Sequence, residues 1–301
     1  MKHIAHLSGL LGFVLVSSIC GAQVLKPNPA AAKIAQATDV AALHSQALHG
    51  KLTPDEKFFT SSALRMCASL RGYDPTNGRG TRPPLPSSDN LAPGPQRDAA
   101  VALRKSCVWL NQPPDELIAE AERLKSEAAR DRSMPAIGES LADMALKGQV
   151  TKAADLALEV LESRDAEAIL SLQRYLYADS AHARMREFPA PDPALFKEAW
   201  FSFACDNGAE CGPDSSVARG YCAFQSRCEA PFYRAERPAF RLTPKQQQEL
   251  RATYRHFLED VFAKRQWDRL GIRATRYPAV ESTNQYPAHP NRCPPSRSTC
   301  S

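Results

Sequence analysis

Residues 113–176 read PPDELIAEAERLKSEAARDRSMPAIGESLADMALKGQVTKAADLALEVLESRDAEAILSLQRYL, and this stretch decides the fold class. Pro113-Pro114-Asp115 opens a helix that carries Leu117, Ala121, Leu124 and Ala128 at helical spacing. Three shorter periodic segments follow. They hold Ile137, Leu141, Met144 and Ala145 before Gly148; Ala154, Leu158 and Leu161 after an N-cap at Thr151; and Ile169, Leu172 and Leu176 after Asp165. Linkers of two or three residues between helices this short make antiparallel neighbours. No run alternates with the period of a strand, here or elsewhere in the chain.

The same grammar extends outward. Residues near Ala37 to His49 suit a first helix ending at Gly50. Thr53-Pro54-Asp55-Glu56 combines an N-cap, Pro at N1 and Glu at N3, and the helix after it keeps Phe59, Ala63, Cys67 and Leu70 on one face until Gly72. Pro75 to Pro95 holds six prolines and three glycines, which predicts an exposed irregular loop over 74–96. A helix resumes near Arg97 with Ala99, Leu103, Cys107 and Leu110 on one side. Cys67 and Cys107 thus sit on the buried stripes of the helices that flank the loop, and pairing them would staple those helices. Downstream, Arg186 to Pro193 reads as a linker, and Asp192-Pro193 caps a helix bearing Phe196, Ala199, Trp200 and Phe203 up to Cys205. Thr243-Pro244-Lys245-Gln246 is a second capping box. The helix expected over 244–270 carries Leu250, Tyr254, Phe257, Leu258, Val261 and Phe262 and reads as the most amphipathic of the chain. The fold expected is all-α, an irregular array of short antiparallel helices crosslinked by disulfides over 23–271, with an irregular basic tail over 272–301.

Composition bounds the setting. The chain has 301 residues, 43% hydrophobic and 24% charged, with Pro 24 and Gly 14, which excludes a disordered, collagenous or polytopic membrane protein. Met1 to Ala22 has the form of a secretory signal peptide: Lys2 and His3, an apolar run from Leu7 to Ile19, then Cys20-Gly21-Ala22. That run falls short of the ~20 residues a membrane-spanning helix needs, so the mature chain has no transmembrane segment. Ser17-Ser18-Ile19-Cys20 offers the competing reading of a lipid anchor at Cys20, although Ile19 is bulky where a small residue belongs. Cleavage after Ala22 is favoured, and it turns nine cysteines into eight: Cys67, Cys107, Cys205, Cys211, Cys222, Cys228, Cys293 and Cys300. An even count in an exported chain predicts a disulfide framework in the periplasm or outside the cell. Positive charge is concentrated in the tail, where Arg273, Arg276, Arg292 and Arg297 face only Glu281. The body is close to neutral and gives nucleic-acid binding no support.

Cys205-x5-Cys211-x10-Cys222-x5-Cys228 is the most specific pattern in the chain. Zinc knuckles use two to four intervening residues rather than five, so the cluster reads as disulfides; local closure within each pair fits slightly better than nesting, and the spacing leaves both open. Asp206-Asn207-Gly208 makes a turn between them, and Gly212-Pro213-Asp214 is expected to start the next short helix. The detailed pattern is Ala204-Cys205-Asp206-x-Gly208-x-x-Cys211-Gly212-Pro213-x-Ser215, then Cys222-Ala223-x-x-x-x-Cys228. It resembles a motif of exported, mostly helical, Cys-rich proteins of Gram-negative bacteria that have no assigned activity. The resemblance implies compartment and architecture, not chemistry, and Ser226 stands where that group has Gly. Residues 115–180 also resemble the helix pairs of Sel1/tetratricopeptide scaffolds, without a repeated fixed-spacing signature.

Chemical motifs are sparse. Gly138-Glu139-Ser140 is similar to the Glu-Ser of lytic transglycosylases, but nothing downstream continues that pattern, and Glu139 reads as a solvated residue near a helix start. Asp206, Asn207, Glu210 and Asp214 do not match an EF-hand and read as turn and cap residues. The mature histidines His44, His49, His182, His256 and His289 include no i, i+4 pair. The sequence therefore names no catalytic, cofactor-binding or metal-binding residue. Trp200, Phe201, Phe203, Tyr221, Phe224, Phe232, Tyr233 and Phe240 crowd the cysteine region and read as core for the last helix rather than as a groove. The expectation is a non-catalytic interaction or envelope-associated module whose partner is a protein or an envelope component. The alternatives are a hydrolase of envelope polymer with a site in the 200–240 region, and a helical scaffold.

Overall fold

The computed structural model describes residues 24–72, 90–177, 192–229 and 242–272. The leader, most of the 74–96 loop, the linker before Asp192, the Phe232, Tyr233 and Phe240 aromatics, His182, His289, and the tail from 273 with Cys293 and Cys300 lie outside these residues.

The helices among the described residues are α1 (Pro29–Ala35), α2 (Val40–Leu48), α3 (Pro54–Leu70), α4 (Pro95–Ser106), α5 (Pro114–Arg130), α6 (Met134–Leu146), α7 (Val150–Ser163), α8 (Ala166–Ser171), α9 (Gln173–Tyr177), α10 (Pro193–Asp206), α11 (Ser216–Gln225) and α12 (Pro244–Lys264), then a 3-10 turn (Trp267–Leu270); the joints from α4 to α9 are short. Among the described residues the one β feature is an isolated bridge between Lys26 and Asp165. The caps explain why helices start where they do. Thr53 and Thr243 form full capping boxes with Glu56 and Gln246, and Asp192 accepts from the amides of Ala194 and Leu195.

Several boundaries differ from expectation. α7 begins at Val150 after Gln149, so Thr151 lies inside the helix. α11 is capped by Ser215, whose hydroxyl accepts from Ala218 N, and not by the 212–214 turn. The last helix stops at Arg265, in the left-handed region at φ 54°, and Trp267–Leu270 continues as a 3-10 turn. Apolar residues are segregated more sharply on α5 and α7 than on α12. Ile272, the last described residue, is buried.

Two cores organise the chain. The first joins α2, α3, α4, α5 and α11 around Leu64, Cys67, Ala100, Leu103, Leu117 and Leu124. The second joins α6 to α10, α12 and the 3-10 turn around Leu141, Leu161, Trp200, Phe203, Tyr254 and Phe262. Phe58, Ala128 and Ala136 form a small cluster between α3, α5 and the start of α6. Connectivity is not purely sequential. α5 packs chiefly on α3, α6 meets α7, α8 and α9, and α11 leaves the second core to lie on α4. α3 is enclosed by α1, α2, α5 and α6, and so buries Phe58, Thr60, Ser61, Leu64 and Ala68 as well as Cys67 and Leu70, while Phe59 and Ala63 are half-buried. Trp200 and Phe203 are core residues against Phe262 of α12, at ring distances of 6.0 and 4.8 Å.

Candidate functional site

Three cystines brace the described body. Cys67–Cys107 ties the end of α3 to the end of α4, with Cα atoms 5.6 Å apart. Cys205–Cys211 and Cys222–Cys228 close locally, at 5.5 and 4.2 Å. The local closures follow from helix ends: α10 ends one residue beyond Cys205, the chain turns through Gly208 at φ 112°, and Cys211 returns alongside. After α11 the chain reverses at Ser226, whose φ of 57° is the left-handed conformation that Gly adopts without cost. The conformation is thus the one a glycine would take, held here by a serine.

Between α4, the 209–215 segment and α11 lie two adjoining clefts of about 520 and 460 Å³. Ala102, Asp214 and Arg219 line both. Arg219 pairs with Asp214 at 3.1 Å and forms the wall between them. The first cleft adds Lys105, Ser106 and Glu210 and reaches the α1–α2 joint; the second adds Asp98 and the Cys222–Cys228 turn. Opposite charges are mixed in both, so neither cleft has a uniform sign.

Behind the first cleft sits the most unusual ionisable group. Glu167, near the start of α8, is buried, and its carboxylate accepts from the backbone N–H of Glu210. Burial pushes its pKa up to about 7 against that hydrogen bond, and the carboxylates of Asp165 and Glu210 push the same way. Asp165 is also raised, first by burial and further by Asp55, while its bonds from Ala168 N and Asn28 act the other way. Asn28 is the hub of this knot. Its Nδ2 donates to Asp55 Oδ2 at 2.9 Å and Asp165 Oδ2 at 2.6 Å, and its Oδ1 caps α1 through Ala30 N at 3.0 Å. Lys26 stitches the entering chain to the same corner through Arg164 O and Ala166 N. Neither Asn28 nor Glu167 stood out in the sequence. Asp165-x-Glu167 is an ordinary helix start, and no local pattern announces that the second carboxylate is buried beneath a loop more than forty residues away.

The residues singled out by sequence do not converge. Asp206 pairs with Arg255, Asn207 Nδ2 donates to Phe203 O at 2.8 Å, and Asp214 pairs with Arg219. Among the described residues no group of His, Cys, Asp and Glu has an arrangement that could hold a metal ion. Glu139 is not a free solvated carboxylate: it is half-buried, 2.6 Å from Arg65 and 3.7 Å from Lys125. Gly138 beside it permits a close approach, since a Cβ there would lie 3.0 Å from Ala168 O. His44 is buried 3.3 Å from Glu120, His49 Nδ1 contacts Ser45 O, and His256 is exposed beside Glu259.

No family model matches this chain, and neither a curated protein nor a solved structure does.

Proposed function

We propose that this chain is an exported, non-catalytic helical protein of the periplasm or the extracellular space, and that its cystine-braced α4–α11 region serves as an interaction module for a protein or envelope component. The observation that carries the reading is the bracing: three cystines, two of them at the walls of the paired clefts, fit an oxidising compartment. No helix among the described residues is long and apolar enough to cross a membrane. The apolar Leu7–Ile19 run with Cys20-Gly21-Ala22 supports delivery by a cleaved signal. Non-reducing mass mapping is expected to find Cys293 joined to Cys300, no free thiol, and Gln23 at the N-terminus. A stoichiometric free thiol or an acylated Cys20 would contradict that account. Affinity capture from native envelope is expected to recover a partner that is lost when Arg219 is reversed to Glu.

A hydrolase of envelope polymer is the second reading, and Glu167 is the observation in its favour: a carboxyl titrating near neutrality, one hydrogen bond behind a cleft-lining residue, has the protonation a general acid needs. Turnover of peptidoglycan fragments that disappears in Glu167→Gln while the fold persists would establish it; no turnover in either protein removes it.

A further inference from the structure

The turn after α4 displays apolar surface that the fold does not use. Cys107 and Leu110 point into the first core, while Val108 and Trp109 between them are 57% and 70% exposed. The turn is firmly held. Cys107 is bonded to Cys67, Leu110 N donates to Cys107 O at 3.3 Å, and the Arg71 guanidinium donates to the carbonyls of Cys107, Leu110 and Gln112. Val108 and Trp109 are therefore presented in one orientation rather than left on a loose loop.

The same outward side runs back along α4. Arg97, Val101, Lys105 and Val108 recur at steps of four, four and three, opposite the buried Ala99, Ala100, Leu103 and Cys107. Val101 is 44% exposed. Asp98 is the one carboxylate on this helix, against Arg97, Arg104 and Lys105. The alternation of cations with apolar residues bears on what binds here. The centre of a protein–protein interface is depleted of lysine, whereas a lipid surface takes an indole at headgroup depth and attracts nearby cations to its phosphates.

We propose that the outward face of α4 and the Val108–Trp109 turn dock the protein on an anionic lipid surface, with Trp109 and Val108 entering the headgroup layer and Arg97 and Lys105 facing lipid phosphates. This deepens the envelope-associated reading and rests on it only for which membrane is met.

Fluorescence isolates the event, because the other two tryptophans, Trp200 and Trp267, are buried in the second core. The chain from Gln23, which contains every described helix, is mixed with vesicles of phosphatidylglycerol and phosphatidylethanolamine, or of phosphatidylcholine. A blue shift and protection from acrylamide are expected with the anionic vesicles only. By sedimentation, partitioning is expected to fall about fivefold or more in Lys105→Glu, since each cation at such a surface contributes ~1 kcal/mol. Trp109→Ser is expected to lower it at least as much. Leu146→Ser, which alters an exposed leucine on α6, is expected to leave it unchanged. Equal binding to phosphatidylcholine, no binding, or binding indifferent to Lys105 and Trp109 overturns the proposal. So does a Trp109→Ser variant that loses a captured envelope protein while partitioning as before. Cystine mapping tests export separately, so the two readings fail independently.

Discussion

The two cores are built from different materials. Among its buried members the first has alanines, leucines, Val40 and three half-cystines, and no aromatic ring. The second buries Tyr175, Phe196, Trp200, Phe203, Tyr254, Phe262 and Trp267, and its one cystine lies at the edge, where Cys211 is only partly buried. Small side chains let α3, α4, α5 and α11 approach closely, but each buries little apolar area. Aromatic side chains bury several times more and add edge-on ring contacts, such as Phe196 with Tyr254 at 5.3 Å and Phe262 with Trp267 at 5.0 Å. One region is held by constraining the unfolded chain and the other by packing the folded one.

The sharpest way to break this contrast is to open the second core. Trp200 is wholly buried, touches Phe196 and Phe262, and donates its Nε1–H to Ile169 O at 2.8 Å. Trp200→Ala should cost about 5 kcal/mol, leaving both a cavity and an unpaired carbonyl, read as a fall in the denaturant midpoint. In the first core the equivalent test is the double replacement of Cys67 and Cys107 by Ser. That bridge closes a sequence separation of 40, and loop-closure entropy gives it about 4 kcal/mol, against ~2 for either six-residue closure. If the Trp200 variant proved the milder of the two, the two cores would not divide the labour between packing and constraint.

The contrast also explains what could be read from sequence. All four stripe residues expected on α5, Leu117, Ala121, Leu124 and Ala128, are wholly buried, because that helix has one broad partner, α3, along a single face. On α7 the stripe is rotated towards Ala153, Ala157 and Val160, and Leu158 is half-buried. Alanine is small enough to face a close neighbour, and only tertiary structure says where that neighbour is. Cys67 and Cys107 were legible as a pair because each lies on a local buried stripe. The crossing of α11 onto α4 was not, since it depends on where a turn through Gly208 aims the chain. The Asn28–Asp55–Asp165 knot joins three elements distant in sequence and left no local mark.

A pH titration separates the packed region from its polar corner. Glu167 titrates near 7 in the folded protein against 4.5 for an ordinary glutamate. The folded state thus holds this proton to higher pH than the unfolded chain does. Its contribution to stability is complete below about pH 4.5 and is lost as pH rises through 7, by up to about 3 kcal/mol. Glu56 and Glu120 carry depressed values, Glu56 through Lys33 and Glu120 through Arg123, and act in the opposite sense, losing stability as pH falls. The difference between the native protein and Glu167→Gln cancels those terms. It should grow between pH 5 and 8 in favour of the glutamine, whose side chain stays neutral in both states. A flat difference would mean that Glu167 is ionised and solvated, and that the 209–211 segment is not latched to α8.

The smallest effect probes the first region at the turn closed by Cys222–Cys228. Ser226 caps α11 at φ 57° and ψ 23°, with its N–H donating to Cys222 O at 3.1 Å. A side chain there is strained, whereas Gly adopts the conformation freely. Ser226→Gly should therefore stabilise the protein by about 0.5–1 kcal/mol while the disulfide is intact, even though glycine adds freedom to the unfolded chain, because the short closed loop already restricts that freedom. Under reduction the unfolded loop is released, the entropic cost of glycine returns in full, and the gain should shrink. A gain equal in both conditions would show that the cystine does not act on this turn through the unfolded state. The account of the first core as one held by constraint rather than packing would then lose its most local support.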